Sequence, residues 1–384
     1  MEAWVDSVGE RIRSRMTPGL SQRQLAAQVG MTPDAMSRAL SGQRGFASIE
    51  LAKIADVIGE DVYWLITGQR DPLRVDVAAR HAWDPMRSQR VNPGRENDEE
   101  IIRNVIRAYH QAHPDGPPSS VELPKRPEDV RRMLGDGFVR PFAAAVERRL
   151  GVDVVRVPNL STDYSMRIGD RGVILLASTP HWFRSNWSLA HEIGHLALGH
   201  HANSVHAMQN ERPADTFAAS LLLPTPLVHS VDWNGIDGSG LAGFLWNTGV
   251  STEVLRHRLS SLRIGVHDKV HSWLREPTQR LLRAHVDVLS DDDKWGDPLV
   301  DRERDSSARM FPLGVLAALR DRVEAGNAAP DLLAWVLDVP VDEIDFPEPD
   351  EDAEAEAYDR VLSDRLSAAE WAGALRTGKP QTLA

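Results

Sequence analysis

The segment HEIGH, from His191 to His195, places two histidines and a glutamate at a spacing that suits metal chemistry. Residues four positions apart share one face of an α-helix, so His191 and His195 can present two imidazoles to one metal ion. Glu192 lies at the edge of that face, where its carboxylate can reach an attacking water without binding the metal. Two nitrogen ligands, an open coordination position and a base for water are what zinc-dependent hydrolysis needs.

The same five letters also arise by chance on surface helices that carry unrelated histidines. The flanking residues favour a site, because apolar side chains recur through NWSLAHEIGHLALGH at the spacing of a buried helix. A buried pair of histidines needs polar partners. The apolar positions are Trp187, Ala190, Ile193, Leu196 and Ala197.

A catalytic zinc ion needs a third protein ligand, and the chain contains no cysteine that could supply it. Glu211 opens the segment ERPADTFAASLLLP, which follows the two histidines, and its carboxylate is the candidate third ligand. Asp215 lies four residues further on the same helix face. It is the candidate acceptor for the outer N–H of a ligand histidine. Pro213 fits the first turn of this helix, where proline is tolerated.

Together, NWSLAHEIGHLALGHH and ERPADTFAASLLLP resemble the ImmA/IrrE family of metallo-endopeptidases. The second motif of that family runs approximately Glu-x-x-Ala-Asn/Asp-x-Phe-Ala-Ala-x-Leu-Leu-x-Pro, and the segment that begins at Glu211 matches it in order. A later segment, FLWNTGVSTEVLRHRLSSLRI, resembles the helix-turn-helix-like tail of the family. The resemblance covers about residues 97 to 265.

This resemblance implies an α+β, zincin-like domain in which His191, His195 and Glu211 hold Zn²⁺. Glu192 would then take a proton from the attacking water and pass it to the leaving amine. Family members are known for cleaving helix-turn-helix repressors, so a repressor is the expected protein substrate.

Three further histidines follow the motif, at positions 200, 201 and 206. We interpret His200, His201 and His206 as ordinary exposed side chains. In the alternative interpretation, one of them, or Arg184 before the motif, polarises the scissile carbonyl. The sequence does not decide between the two.

Residues 1–70 carry the signals of five short helices. Ser21 and Thr32 are candidate N-caps, Pro33 takes the favoured first helical position, and Gly30 ends the second helix. The segment resembles an XRE-type, lambda-repressor-like helix-turn-helix domain, whose third helix lies in the major groove of double-stranded DNA. Its predicted core residues are Leu25, Val29, Met36, Leu40, Leu51, Ile54, Ala55 and Ile58.

The resemblance places the DNA contacts on and around the third helix, where Arg38 is the strongest base reader. Residues 1–70 contain eight basic and eight acidic residues, which favours modest affinity per monomer. A homodimer would double the contacts through two half-sites. The alternative is a protein-interaction module with the same fold. The candidate DNA-contacting residues are Gln22, Pro33, Asp34, Arg38, Ser41, Gln43 and Arg44.

The composition limits the remaining function classes. A net charge of −12 opposes bulk attraction to nucleic acid, so DNA binding depends on a local surface. No apolar run suits a membrane span, and the N-terminus lacks the apolar core of a secretion signal. We therefore expect a cytoplasmic protein with no membrane partner, which the absence of cysteine also suits.

These features predict a multidomain, mainly α protein. Within the peptidase domain, VDVVRVP is expected to form a strand and YSMRIGDRGVILLAS a hairpin that turns at Gly169 and Asp170. A last helix is expected from Tyr358 to Leu375, after an acidic linker. The predicted parts are the helix-turn-helix domain at 1–70, a linker at 71–96, the α+β peptidase domain with a small sheet at 97–275, and a helical C-terminal region of unknown role at 276–384.

The expected function is that of a DNA-binding zinc metallo-endopeptidase that regulates stress or mobile-element genes by cleaving a repressor. Two alternatives stay open. In one, the chain is a transcriptional regulator whose peptidase fold serves as a sensor or dimerisation body without proteolysis. In the other, it is a component of a toxin–antitoxin or phage-defence system. The complete set of ligands and base favours the peptidase.

Overall fold

The structure is a computed structural model with two compact units, residues 1–322 and residues 323–384. The residues that it describes are 7–17, 19–79, 82–84, 89–91, 95–202, 207–289 and 297–344. The acidic stretch after residue 344 and the helix expected from Tyr358 to Leu375 lie outside the described residues. Among the described residues, every helix is too short or too polar to cross a lipid bilayer.

Five short helices occupy the described part of residues 1–70, as predicted. They are α1 (Val8–Arg15), α2 (Gln22–Val29), α3 (Pro33–Leu40), α4 (Ser48–Ile58) and α5 (Val62–Thr67). The side chains of Ser21 and Thr32 accept hydrogen bonds from the first-turn N–H groups of α2 and α3. Gly30 ends α2 with a positive φ of 77°, a conformation that glycine adopts without strain.

Seven of the eight predicted core residues of this segment are buried, and Ile58 is half-buried. The lack of a side chain at Gly9 lets α1 approach the end of α3, because a Cβ there would lie 2.1 Å from the carbonyl oxygen of Leu40. The guanidinium of Arg11 donates to the carbonyl oxygens of Leu65 and Ile66 and so fixes α1 to the end of α5.

A four-stranded sheet follows, in the order β1-β5-β6-β4. The hairpin of β5 and β6 turns at Gly169 and Asp170, as predicted, and β4 runs parallel to β6. Two short strands, β2 and β3, pair separately. The elements are β1 (Val75–Ala79), β2 (Ala82–Asp84), β3 (Gln89–Val91), α6 (Arg95–Ala112), α7 (Pro127–Leu134), α8 (Phe142–Leu150), β4 (Asp153–Val157), β5 (Tyr164–Ile168), β6 (Arg171–Ala177), α9 (Trp182–Leu198) and α10 (Ala207–Leu222).

The segment 71–96, expected to be a linker, is in part built into the sheet. Its strand β1 pairs antiparallel with β5, from Val75 opposite Ile168 to Ala79 opposite Tyr164. The backbone N–H of Gly169 donates to the carbonyl oxygen of Arg74 at 2.6 Å. The weak local periodicity concealed this strand, because its partner lies about ninety residues further along the chain.

The boundary expected at residue 275 also differs from the observed packing. Helix α15 packs on α12, and α16 packs on α9. Arg156 and Met310 form a backbone bridge that joins β4 to the chain beyond α16. The later helices are α11 (Thr225–His229), α12 (Gly238–Thr248), α13 (Thr252–Ser261), α14 (Asp268–Trp273), α15 (Thr278–Arg283), α16 (Pro298–Ser307), α17 (Leu313–Glu324) and α18 (Pro330–Leu337).

Candidate metal centre

Helix α9 carries the two histidines and is buried from Ser188 to Ala197. It packs against β5 and β6 on one side and against α10 on another. Gly194 lies at a close approach of α9 and α10, because a Cβ there would lie 3.2 Å from Cβ of Phe217 and 3.3 Å from Cα of Ala214. The glycine thus sets the separation between the two helices that carry the site.

Helix α10 brings Glu211 to the site and is held at its C-terminal end by two arginines. The guanidinium of Arg131 donates to the carbonyl oxygen of Leu221 at 2.7 Å. The guanidinium of Arg258 donates to the carbonyl oxygen of Leu223 at 2.9 Å. These cations bind carbonyl groups that have no donor within the helix, and they suit the negative end of its dipole.

The start of α10 differs from the sequence expectation. The helix begins at Ala207, so Glu211 lies inside it and Pro213 lies in its second turn rather than its first. Because proline has no N–H, the carbonyl group of Gln209 lacks its usual donor within the helix.

Three ligand groups of the predicted site converge in the structure. The Nε2 atoms of His191 and His195 are 3.0 Å apart. The carboxylate of Glu211 lies 3.4 Å from the first of these atoms and 3.8 Å from the second. All three residues are buried, with at most 2% of their surface exposed. They form a group that could hold a metal ion.

The donor set fits zinc. Two ligand atoms that bind one zinc ion at 2.0–2.1 Å in a tetrahedron lie about 3.3 Å apart. The three separations observed here are close to that value. Two imidazole nitrogens and one carboxylate also leave a fourth coordination position for water or substrate, which is typical of a catalytic rather than a structural zinc site.

Each ligand histidine has a partner at its outer nitrogen. Nδ1 of His191 lies 3.0 Å from Oδ1 of Asp215, the arrangement expected from the sequence. Nδ1 of His195 lies 2.9 Å from Nδ1 of His200. With Nε2 as the metal ligand, the proton of each ring lies on Nδ1 and can be donated to these partners.

The interpretation of the three following histidines as exposed is wrong for two of them. His200 is half-buried against His195, and burial lowers its pKa, which favours the neutral ring that can accept a proton from His195. His201 is buried, and desolvation lowers its pKa to about 4. Arg184 is exposed on α9, and His206 lies outside the described residues.

Glu192 is fully buried beside the ligands, on the same helix as both histidines. A carboxylate in this position can exchange a proton with a water molecule at the centre. The structure thus brings together two imidazoles, a ligand carboxylate and a second carboxylate in one buried cluster, which is a set that could support hydrolysis.

Residues 147–260 match the family model of peptidase family M78, described as the IrrE N-terminal-like domain. This IrrE-like segment runs from the end of α8 to the end of α13 and contains every residue of the metal centre. The match supports the ImmA/IrrE family and a peptidase of the metallo type. It is narrower than the span of 97 to 265 expected from the motifs. No curated protein and no solved structure matches the chain significantly.

Outside the IrrE-like segment, α3 exposes the predicted DNA-contacting residues Pro33, Asp34 and Arg38. The guanidinium of Arg38 lies 2.9 Å from the carboxylate of Asp34, one turn away, so its charge is partly compensated. Arg44 is half-buried and pairs with Glu50 at 2.6 Å.

The remaining candidates lie on either side of α3. Ser41 and Gln43 are exposed after the helix, and Gln22 is half-buried at the start of α2. Two of the seven candidate residues are cations, Arg38 and Arg44. Arg44 pairs with Glu50, so Arg38 is the exposed cation that α3 presents.

Proposed function

We propose that the chain is a zinc-dependent metallo-endopeptidase. The observation that carries this proposal is the buried convergence of His191, His195 and Glu211 beside Glu192. A structural site would need a fourth protein ligand, and the described part of the chain offers only three in this group.

The chain's own residues have distinct roles in the proposed reaction. When bound, zinc would act as a Lewis acid toward the water and the scissile carbonyl. The carboxylate of Glu192 accepts a proton from the attacking water and donates it to the nitrogen of the leaving amine. Asp215 and His200 hold the two imidazoles in the orientation that directs Nε2 toward the metal.

The proposed substrate class is a protein, specifically a helix-turn-helix repressor. Support comes from the two sequence motifs that resemble the ImmA/IrrE family and from the family match over residues 147–260. Cleavage of such a repressor would release the genes that it controls.

The decisive test is cleavage by the zinc-loaded full-length chain. The substrates are a peptide library and any small helix-turn-helix protein encoded beside the gene, and mass spectrometry identifies the new termini. Glu192→Gln should lower the cleavage rate by about 100-fold or more, because it removes the base. The exposed Glu253→Gln should leave the rate unchanged. Identical product patterns and rates in native protein and Glu192→Gln would contradict the proposal, as would the absence of products from every substrate.

We also propose that residues 7–67 bind double-stranded DNA through α3, as the resemblance to XRE-type domains suggests. The exposed Asp34–Arg38 pair supports a specific test, because it presents one cation and one anion to the same surface. Asp34→Asn should strengthen binding by removing a repulsive charge and freeing Arg38, whereas Arg38→Ala should weaken it. Fluorescence anisotropy with DNA from the chain's own promoter, across a salt series, measures both. Equal affinities for the two variants would contradict this role of α3.

A further inference from the structure

A cavity lies apart from the metal centre, on the N-terminal half of α9. It has a volume of about 770 Å³. It is lined by residues of α8 and the segment before it, of β4, α9, α12 and α16, and of the segment just after α16, together with Leu289. None of the metal-centre residues lines it. A cavity of this size lies within the range of small-molecule sites in proteins.

The lining of this cavity contains more positively charged than negatively charged side chains. Four arginines line it: Arg140, Arg156, Arg302 and Arg309. The acidic side chains that line it are Asp301 and Asp305, and both pair with Arg304, which is not part of the lining. Asp305 also interacts electrostatically with Arg156, whereas Arg302 has no such partner in the described part of the chain. A local excess of cations is unusual in a chain with a net charge of −12 and indicates attraction for an anion.

Arg302 lies against two indole rings that contact each other edge-to-face. Its guanidinium carbon is 4.2 Å from the ring centre of Trp182 and 4.0 Å from that of Trp246. Its N–H groups donate only to carbonyl oxygens among the described residues, those of Trp246 and Val139. Burial and, to a smaller extent, the charge of Arg140 lower the pKa of Arg302 to about 9, so the group stays charged at neutral pH without a carboxylate partner.

Two buried polar atoms of the lining residues also have no hydrogen-bond partner among the described residues. They are Nε of Arg156 and the indole Nε1 of Trp246. Arg156 is 8% exposed and Trp246 is 5% exposed. Buried donors are nearly always satisfied in proteins, so orphaned donors around a cationic cavity indicate a missing acceptor.

We propose that this cavity binds a small amphiphilic anion, namely a carboxylate or phosphate group carried on an apolar body. Planar guanidinium groups match the geometry of both headgroups and bind them more strongly than neutral donors do. The indoles of Trp182 and Trp246, with Phe142 and Leu189, provide the surface against which the apolar body packs. The bound oxyanion supplies the counter-charge that Arg302 lacks within the described part of the chain.

Isothermal titration calorimetry of the full-length protein tests this proposal with octanoate, octyl phosphate, inorganic phosphate and octan-1-ol. One or both of the amphiphilic anions should bind at one site per chain. Octan-1-ol and inorganic phosphate should each bind at least about tenfold more weakly, since one lacks the charge and the other the apolar body. Comparison of octanoate with octyl phosphate identifies the preferred headgroup.

Variants connect the binding to the cavity. Arg302→Gln should weaken the better anion about tenfold or more, and the exposed Arg140→Gln should weaken it about threefold. Arg140→Gln serves as the deciding variant if loss of the contacts between Arg302 and the two indoles unfolds the protein. Arg132→Gln, which removes an exposed arginine away from the cavity, should bind like the native protein.

The proposal is overturned if no amphiphilic anion binds saturably, if octan-1-ol or inorganic phosphate binds as tightly, or if Arg140→Gln retains native affinity. Because the assay needs no zinc and no cleavage, its outcome is independent of the proposed peptidase activity.

Discussion

Nδ1 of His195 lies 2.9 Å from Nδ1 of His200, which begins the single 3-10 turn that follows α9. This contact gives the second ligand histidine an outer partner, as Asp215 does for the first. His200→Ala should therefore weaken zinc binding by about tenfold, because ring orientation and basicity both depend on that partner. Competition with a chromophoric chelator measures the affinity. The exposed His257→Ala is the matched control and should bind zinc like the native protein; equal affinities in the two variants would show that His200 has no such role.

The carboxylate of Asp215 lies 3.0 Å from Nδ1 of His191 and accepts a hydrogen bond from it when the ring carries its proton there. Asp215→Asn keeps the shape of the side chain but removes the charge, so zinc affinity should fall by about 10- to 100-fold. The same chelator competition provides the measurement. Since Asp215 is not a ligand, the variant should still bind one zinc per chain at saturating metal, and a complete loss of the site would contradict its assigned role.

Gly194 sets the separation of the two helices that carry the ligands. In Gly194→Ala, the new Cβ would lie 3.3 Å from backbone atoms of Ala214, so α10 must shift. We expect the free energy of unfolding to fall by about 1–2 kcal/mol despite the better helix propensity of alanine. Gly243→Ala is the control, because Gly243 lies inside α12 with open space around it, and it should stabilise the protein by about 0.5–1 kcal/mol. Urea unfolding of both variants measures the difference, and a stabilised Gly194→Ala would refute the tight contact.

His201 should make stability depend on pH. Its pKa is about 4 in the folded protein, mainly because of burial, against an ordinary value near 6.5. Between these values the unfolded chain binds a proton that the folded chain does not. The contribution of neutral His201 to the free energy of unfolding is thus fully present above about pH 6.5. It is lost as the pH decreases toward 4, which lowers the free energy of unfolding by about 3 kcal/mol.

The measurement is urea unfolding of the metal-free protein at several pH values between 4 and 8. His201→Gln should lose this part of the pH dependence, while the exposed His257→Gln should keep it. Parallel stability curves for native protein and His201→Gln would contradict the assignment.

The sequence alone was sufficient to predict those features of the structure that local residue spacing determines. His191 and His195 share a helix face because they are four residues apart, and the caps at Ser21, Thr32 and Gly30 act within one turn. The hairpin that turns at Gly169 is local as well. Such features depend on neighbouring residues, which a single sequence contains in full.

The features that the sequence did not reveal depend on distant contacts. Strand β1 needs its partner β5, and the position of Arg302 against Trp182 and Trp246 depends on the packing of three helices. The role of His200 depends on the turn that follows Gly199, which directs the side chain back toward α9. A His-His pair in GHH carries no local signal for that contact, although its place directly after the helix C-cap could have suggested it.

The zinc content of the purified protein tests the central claim most directly. Elemental mass spectrometry should find about one zinc per chain in the native protein and in Glu192→Gln, which keeps all three ligands. The content should fall close to zero in His191→Ala, because only two ligand groups remain. If native protein, Glu192→Gln and His191→Ala contain equally little zinc after loading and gentle dialysis, the buried cluster is not a zinc centre, and the regulator without proteolysis becomes the better account.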